Sequence, residues 1–487
     1  ITMTRASAGT RVNSQGLVET VELLGSELVV NGDFSDGLTD WNNGSVTELG
    51  GVVTFLSDVG YVYQNKTFTT GSSYKVVLDG LGDVRYRTGT SGSAATYISI
   101  TLPSTLYFTA TTDSSRFQLR GSSPFTAATI SNISVKESTK NNLARVDYDG
   151  TASSLLVEPE RTNLITYSED FSQSAWQKSN ITATPNSITS PDGTLNAYKL
   201  TKPTSSTPRL FELSVYPSTG VHTFTSFYKN LDGDSMLIRL DGGGNTANCT
   251  VDLTTNTLVN SGANIISSNI TQLSDGWIRV SVTANILSTS WVLDAVNLFS
   301  ISVGSSVYIW GAQLEVGSYP TSYIPTDGGT VTRVQDQYSK TGISNLINSE
   351  EGVLFVDWKP KLSSDYSFIS INNGSITDSV IIGKSNNTTN MFIAVRSSSV
   401  YQALYTSGVY DFTIFNKVAV KWKLNDISVW INGTEATNWS SGSSPVGLSK
   451  LSFDFGNGTE NFFGKVKQLQ VFKTALTDTE LATLTTI

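Results

Sequence analysis

Apolar and polar positions alternate with period two in short runs along most of the chain, the spacing of strands that bury one face. Between Glu27 and Glu137 the runs are Val52-Val53-Thr54-Phe55-Leu56, Tyr61-Val62-Tyr63, Tyr74-Lys75-Val76-Val77-Leu78, Ala95-Thr96-Tyr97-Ile98-Ser99-Ile100, Ser115-Arg116-Phe117-Gln118-Leu119 and Ile130 to Val135. Turn residues separate them at short intervals, which predicts an antiparallel sandwich. A second set runs from Arg161 to Thr326 and includes Leu237-Ile238-Arg239-Leu240, Trp277 to Val282 and Val307 to Trp310. A third, from 351, contains Phe412-Thr413-Ile414-Phe415, Val418-Ala419-Val420-Lys421-Trp422 and Ile427 to Ile431. One helix is predicted, at the end of the chain: Thr477-Asp478-Thr479-Glu480 is a capping box, followed by Leu481 and Leu484 on one face. The fold class is therefore all-β, tandem antiparallel β-sandwiches with one short C-terminal helix.

Two local patterns refine this picture. Gly9 to Val12 and Leu17 to Val21 flank the polar turn Asn13-Ser14-Gln15-Gly16, a hairpin too small to stand alone. Asp33-Phe34-Ser35 followed by Trp41 reappears as Asp170-Phe171-Ser172 followed by Trp176, so two sandwiches open on one signature. Pro320, Pro325 and Asp327-Gly328-Gly329 mark a boundary, with a short helical turn expected at Ile343 to Asn348.

Composition narrows the function. Of 487 residues only 15% are charged, and the net charge is −9. No Lys/Arg cluster stands out in the linear sequence, so a nucleic-acid partner is not expected. No run of eighteen apolar residues suggests a membrane span. Ile1-Thr2-Met3-Thr4-Arg5 lacks an apolar signal core, so either secretion is not the route or residues precede Ile1. The single cysteine, Cys249, reads as a small core hydrophobe, and the single histidine, His222, as structural. Asn-x-Ser/Thr triplets, as at Asn43 and Asn373, follow from a chain rich in Asn, Ser and Thr.

Several segments resemble bacteriophage tail-fibre and virion structural proteins. They are Thr4-Arg5-Ala6-Ser7, Thr10-Arg11-Val12-Asn13, Gly16-Leu17-Val18-Glu19-Thr20, Arg145-Val146-Asp147-Tyr148-Asp149 and Leu155 to Leu164. The likeness continues through Tyr167 to Phe171, Gly276 to Arg279, Ile309 to Glu315, Pro320 to Thr326 and Thr332-Arg333. In that family the opening flows straight into the segment matching Arg145 to Asp149, so the stretch between Val21 and Asn141 looks like an insertion at a loop tip. The inserted stretch, opening on Val30-Asn31-Gly32-Asp33-Phe34, is similar to a carbohydrate-binding jelly roll. The last domain is similar to a concanavalin-A/laminin-G-like sandwich through Ala419 to Trp422, Val429 to Gly433 and Gly464 to Asp478. The organisation implied is 1–22 with 139–160 as an N-terminal β scaffold, 23–138 as the inserted jelly roll, 161–326 as a second jelly roll, 327–350 as a linker and 351–487 as the last sandwich.

The resemblance implies a virion-surface protein, a tail fibre or host-adhesion fibre that is a homotrimer and contacts other virion proteins and host cell-surface polysaccharide. A head fibre or capsid decoration with a spacer role, and a polysaccharide-degrading tailspike, are the alternatives. A glycosidase needs two carboxylates facing one bond. Glu350 and Glu351 are adjacent and Asp357 stands alone on its strand, so no such pair is apparent in the last domain. No enzymatic activity is expected. Aromatic rings that could stack on a sugar outside the strand pattern are Trp439, placed in a loop, with Tyr366 and Tyr401. No cofactor is called for. Calcium is the metal the composition allows, with Asp33, Glu169, Asp170 and Glu315 as positions to test, although Asp33 and Asp170 read better as caps on local turns.

Overall fold

The computed structural model of the chain describes residues 1–487 apart from 205, 214–217, 234, 243–244, 289–290, 299–301, 364 and 387–388, and apart from the side chains of 241–246 and 291. The chain divides into two compact units, Glu22–Lys140 and the remainder, Ile1–Val21 with Asn141–Ile487.

Within Glu22–Lys140 the strands are antiparallel throughout. They run in the order Asn42–Gly44, Tyr61–Asn65, Ser114–Gly121, Ser73–Gly89, Ala128–Thr139, Val52–Phe55 and Val46–Leu49. Ile98–Thr109 pairs with Ser73–Gly89, and Leu23–Glu27 pairs with Ala128–Thr139. Burial alternates with the pleat: Val62, Val84, Tyr86, Phe117 and Leu119 point into one core while their neighbours in sequence point away. Each such side chain contributes about 1.5–3 kcal/mol by leaving water. The strand expected at Ala95 to Ile100 begins later, at Ile98, after a 3-10 turn at Ser93–Ala95, and continues to Thr109. It carries Pro103 through a bulge between Leu102 and Ser104, where the missing N–H costs no ladder bond.

In the larger unit, 177–316 forms a two-layer sandwich of antiparallel sheets. One layer runs Gln177–Ser179, Arg209–Leu213, Trp291–Asn297, Ser235–Gly242, Asn245–Asp252, Thr257–Ser261. The other runs Thr182–Ile188, Ala197–Thr201, Ser306–Val316, Gly220–Asn230, Trp277–Ile286, Ile265–Gln272. Cys249 is a buried member of their shared core, and His222 is buried with Nδ1 3.1 Å from the Gly220 carbonyl.

The last sandwich draws strands from both ends of the chain. One sheet runs Thr2–Thr4, Gln337–Lys340, Lys450–Ser452, Ser367–Asn372, Ser379–Lys384, Met391–Ser397, Val400–Tyr405. The facing sheet runs Arg145–Asp149, Ala152–Val157, Gly464–Phe472, Glu351–Pro360, Asn416–Lys423, Ile427–Ile431, Thr434–Trp439. Thr2–Thr4 and the 145–157 hairpin thus extend this sandwich, where the sequence suggested a separate scaffold of 1–22 with 139–160. Leu155 and Val157 pair with Val466 and Gly464, so their apolar faces join the core around Trp358. The stretch 327–350 is likewise more than a linker: Val331–Arg333 pairs with Arg161–Asn163, and Gln337–Lys340 lies in the sheet. Phe412 to Phe415 is a turn, because Asp411 Oδ1 accepts the Thr413 N–H at 2.8 Å and its hydroxyl at 2.6 Å before the strand opens at Asn416. The helix Asp478–Thr485 forms with both capping-box bonds and seats Leu481 against Phe355 and Trp430.

A buried ion network binds segments far apart in sequence. Arg145 pairs with Glu158 at 2.7 Å and with Asp336; Arg5 reaches Asp336 at 2.8 Å and Arg333 reaches Glu158 at 3.1 Å. All five side chains are at most 3% exposed. Burial alone would raise Glu158, but Arg333 and Arg145 hold it far below the usual carboxylate range. The Ser322 backbone N–H donates to Glu158 Oε1 at 2.8 Å, and the Ser322 hydroxyl donates to Oε2 at 2.7 Å. Arg5, Arg145, Glu158 and Arg333 come from segments spread along the chain, which meet at one knot.

Candidate functional site

The alternation that fills the core of Glu22–Lys140 also decides what its sheet shows on the other side. Tyr61 and Tyr63 flank buried Val62, Arg85 and Arg87 flank buried Tyr86, and Arg116, Gln118 and Arg120 interleave with buried Phe117 and Leu119. Register then sets them side by side. Arg120 pairs with Tyr61 on one neighbouring strand and Arg85 on the other; Gln118 pairs with Tyr63 and Arg87. Tyr97, just before Ile98–Thr109, closes over this surface. Together with Ser45 and Val59, the residues Tyr61, Tyr63, Arg87, Tyr97, Arg116, Gln118 and Arg120 line an open cavity of about 470 Å³.

The cationic groups are fixed by hydrogen bonds through one side of the fork. Arg87 Nε donates to Gln118 Oε1 at 2.8 Å and Arg120 Nε to the Asp58 carbonyl at 2.9 Å. Arg85 donates to the Gly121 and Asp58 carbonyls, both at 2.8 Å. The guanidinium carbons of Arg85, Arg87 and Arg120 lie 5.5, 4.7 and 5.5 Å from the Tyr97 ring centre, and that of Arg116 lies 4.1 Å from the Tyr63 ring centre. Arg116 Nε is buried with no hydrogen-bond partner among the described residues. The cavity is lined by no carboxylate. The absence of a basic cluster read from the linear sequence is therefore corrected: pairing of two strands assembles one. Chemically, the face offers rings for stacking and rigid donors for oxygen acceptors.

The residues singled out from sequence do not converge. Trp439 is the last residue of the strand Thr434–Trp439, paired with Ile427 and packed against the core of the last sandwich, not in a loop. Its side chain is half-buried. Tyr401 is 42% exposed on the edge strand Val400–Tyr405, with the Arg396 guanidinium 4.8 Å over its ring. Tyr366 stacks on Phe368 at 5.6 Å and lines a separate cavity of about 190 Å³ with Arg161, Tyr319, Lys361, Asp365 and Glu460.

The four carboxylates considered for calcium are engaged by protein donors. Asp33 Oδ1 accepts the Ser35 N–H at 3.2 Å and hydroxyl at 2.9 Å; Asp170 Oδ1 accepts the same two groups of Ser172 at 2.9 and 2.6 Å. Hydrogen bonds from Ser172, Tyr198 and Gln173 outweigh burial and hold Asp170 below the usual carboxylate range. Glu315 is buried and accepts from Thr321 and Gln313. Glu169 accepts from Tyr323 at 3.0 Å, and burial beside Asp192 pushes it up to about 7. Among the described residues no group of three His, Cys, Asp or Glu side chains is arranged to hold a metal. The repeated signature is a packing plug: Phe34 meets Trp41 at 5.3 Å and Phe171 meets Trp176 at 5.0 Å. Each indole N–H donates to a backbone carbonyl, of Asn31 at 2.9 Å and of Tyr167 at 2.8 Å.

No protein-family model matches this chain, and no curated protein matches it. Among the described residues no helix is long and apolar enough to cross a membrane. Among solved structures the chain is similar to the CBM40 of a Ruminococcus gnavus sialidase bound to alpha2,3 sialyllactose, at 19% identity and TM-score 0.25, over 29% of this chain and 86% of that one. It is similar to the CBM22 tandem of Paenibacillus barcinonensis Xyn10C at 9% identity and TM-score 0.21, over 60% of this chain and 98% of that one. It is also similar to domains LG4-5 of the mouse laminin alpha1 chain at 10% identity and TM-score 0.20, over 54% of this chain and 86% of that one.

Proposed function

We propose that the chain binds cell-surface glycan without cleaving it, as a subunit of a bacteriophage host-adhesion fibre, in the first place a tail fibre, on the virion surface. The bacteriophage assignment rests on the segments around Arg5, Arg145, Glu158, Trp310 and Arg333 that resemble virion proteins. The observation that carries glycan binding is the open face of Glu22–Lys140, where tyrosine rings stand beside arginine and glutamine donors already held in place. Sugar rings stack on aromatic faces and their hydroxyls take up fixed donors, so little ordering remains to be done on binding. The lining supplies no carboxylate pair of the kind a glycosidase uses, which supports a binding role for this face. A homotrimer, as the resemblance implies, would multiply weak sites by avidity.

An array of host capsular and lipopolysaccharide fragments tests the reading, with the full chain beside Tyr97→Ala. Retention without product, weakened by Tyr97→Ala, is the expected result. Released oligosaccharide would overturn the non-catalytic assignment. Retention on no fragment would favour a spacer role.

A further inference from the structure

We infer that the face of Glu22–Lys140 selects an acidic polysaccharide, one whose repeating sugars carry carboxylate or another oxyanion; this rests on the glycan-binding reading above. The charge balance of the face is the first argument. Arg85, Arg87 and Arg120 surround a single Tyr97 ring and Arg116 stands next to them, in a chain whose net charge is −9. Among the described residues none of these arginines forms an ion pair, and the cavity lining has no carboxylate to offset them. Guanidinium groups gathered around one ring repel one another, and an anion seated among them relieves that repulsion.

Geometry is the second. The Nε atoms of Arg87 and Arg120 are committed to Gln118 and to the Asp58 carbonyl, which orients each fork and leaves its terminal nitrogens for an incoming acceptor. Arg116 retains a buried, unpartnered Nε. Fixed guanidinium donors match oxyanions bidentately, and such charge-assisted bonds are the strong ones. Spacing is the third. Arg116 and Arg120 lie four residues apart on one strand, about 13 Å at 3.3–3.4 Å per residue. One small anion does not span that distance; a chain with an acid on successive sugars does. Tyr61 and Tyr63 continue the face for stacking.

The test is affinity electrophoresis of the full chain at low and high salt. The gels carry polygalacturonate, hyaluronate or chondroitin sulfate, beside carboxyl-reduced polygalacturonate, dextran and single-stranded DNA. Retention by at least one acidic polymer is expected, abolished for its neutral counterpart and falling as salt rises. Chondroitin sulfate alone would assign the oxyanion to sulfate, and the polyuronates to carboxylate. Arg116→Gln with Arg120→Gln should weaken acidic-polymer retention at least about tenfold, the scale of a lost charged hydrogen bond, while an unchanged melting midpoint shows intact folding. Neutral glycan retained equally, with Tyr97→Ala weakening it and the arginine variant not, would overturn the acidic assignment and leave glycan binding standing. Retention on DNA alone, or on no polymer, would overturn the acidic assignment, while the host-fragment array decides glycan binding separately.

Discussion

Replacing Arg145 with Met tests whether the buried knot holds the larger unit together. The change keeps an apolar stem and removes the cation shared by Glu158 and Asp336, both of which stay buried. Breaking a buried ion pair costs about 3–5 kcal/mol, because the stranded charge has lost its water as well as its partner. Each carboxylate here keeps one cation, Glu158 its Arg333 at 3.1 Å and Asp336 its Arg5 at 2.8 Å, which places the loss near 3 kcal/mol. Unfolding entropy of about 2.1 cal/mol/K per residue over the roughly 370 residues of that unit gives about 1.3 °C per kcal/mol, so its melting midpoint should fall by about 4 °C by scanning calorimetry at pH 7. Arg145→Lys, which keeps the charge but not the fork, should fall by less. The pH limb gives a second reading. A depressed native carboxylate contributes stability that is complete above its unfolded value, about 4.3, and is lost as pH falls towards its native value. Without Arg145 the native value of Glu158 rises towards its unfolded value, so the acid loss is smaller and ends at higher pH. A midpoint within 2 °C of the parent, with an unchanged acid limb, would refute the view that these charges are coupled.

Three further outcomes follow from local structure. Burial pushes Glu169 from 4.5 up to about 7, so its contribution is complete below about pH 4.5 and is lost as pH rises through 7; Glu169→Gln should match the parent's melting midpoint at pH 5 and exceed it at pH 8. Thr477→Ala removes the cap that accepts the Glu480 N–H and should cost about 1 kcal/mol, read as faster hydrogen exchange in Asp478–Thr485 with the sandwich protected as before. Deleting Glu22–Lys140 and joining Val21 to Asn141 through a short Gly-Ser joint should leave the larger unit's calorimetric transition in place, and the excised segment should show its own cooperative transition. Loss of the first transition would show that the larger unit needs the smaller to fold.

Period-two patterning made the strand-rich architecture legible, because burial of one face leaves its mark residue by residue, as at Val62 and Phe117. The hairpin at Thr10–Val12 and Val18–Thr20 and the capping box at Thr477 were legible for a similar reason: a few neighbouring residues decide them. Partnership between distant strands leaves no such mark. Nothing near Leu155 announces that it pairs with Val466, so the 145–157 hairpin read as part of a scaffold of its own. The arginine face was hidden in the same way. Arg87 and Gln118 are separated by a turn and another strand, and only their register brings them together. The outward alternation Arg85-x-Arg87 and Arg116-x-Gln118-x-Arg120 was the available signal, and it becomes a cluster only once the pairing is known. Trp439 misled because its neighbours Asn438, Ser440 and Ser441 are loop formers, whereas pairing with Ile427 keeps it on a strand.

The strand that begins Glu22–Lys140 pairs with the strand that ends it, Glu27 beside Lys136 and Leu23 beside Thr139, so the segment leaves the chain close to where it enters. The larger unit meanwhile closes on itself across the gap, since the Asn142 N–H donates to the Arg5 carbonyl and the Arg5 N–H donates to Asn142 Oδ1. In genetic terms, the arginine face is then a single uninterrupted reading-frame segment with matching ends. A recombination event confined to that segment exchanges the whole arginine face at once, and every residue of the Arg145 knot is inherited unchanged.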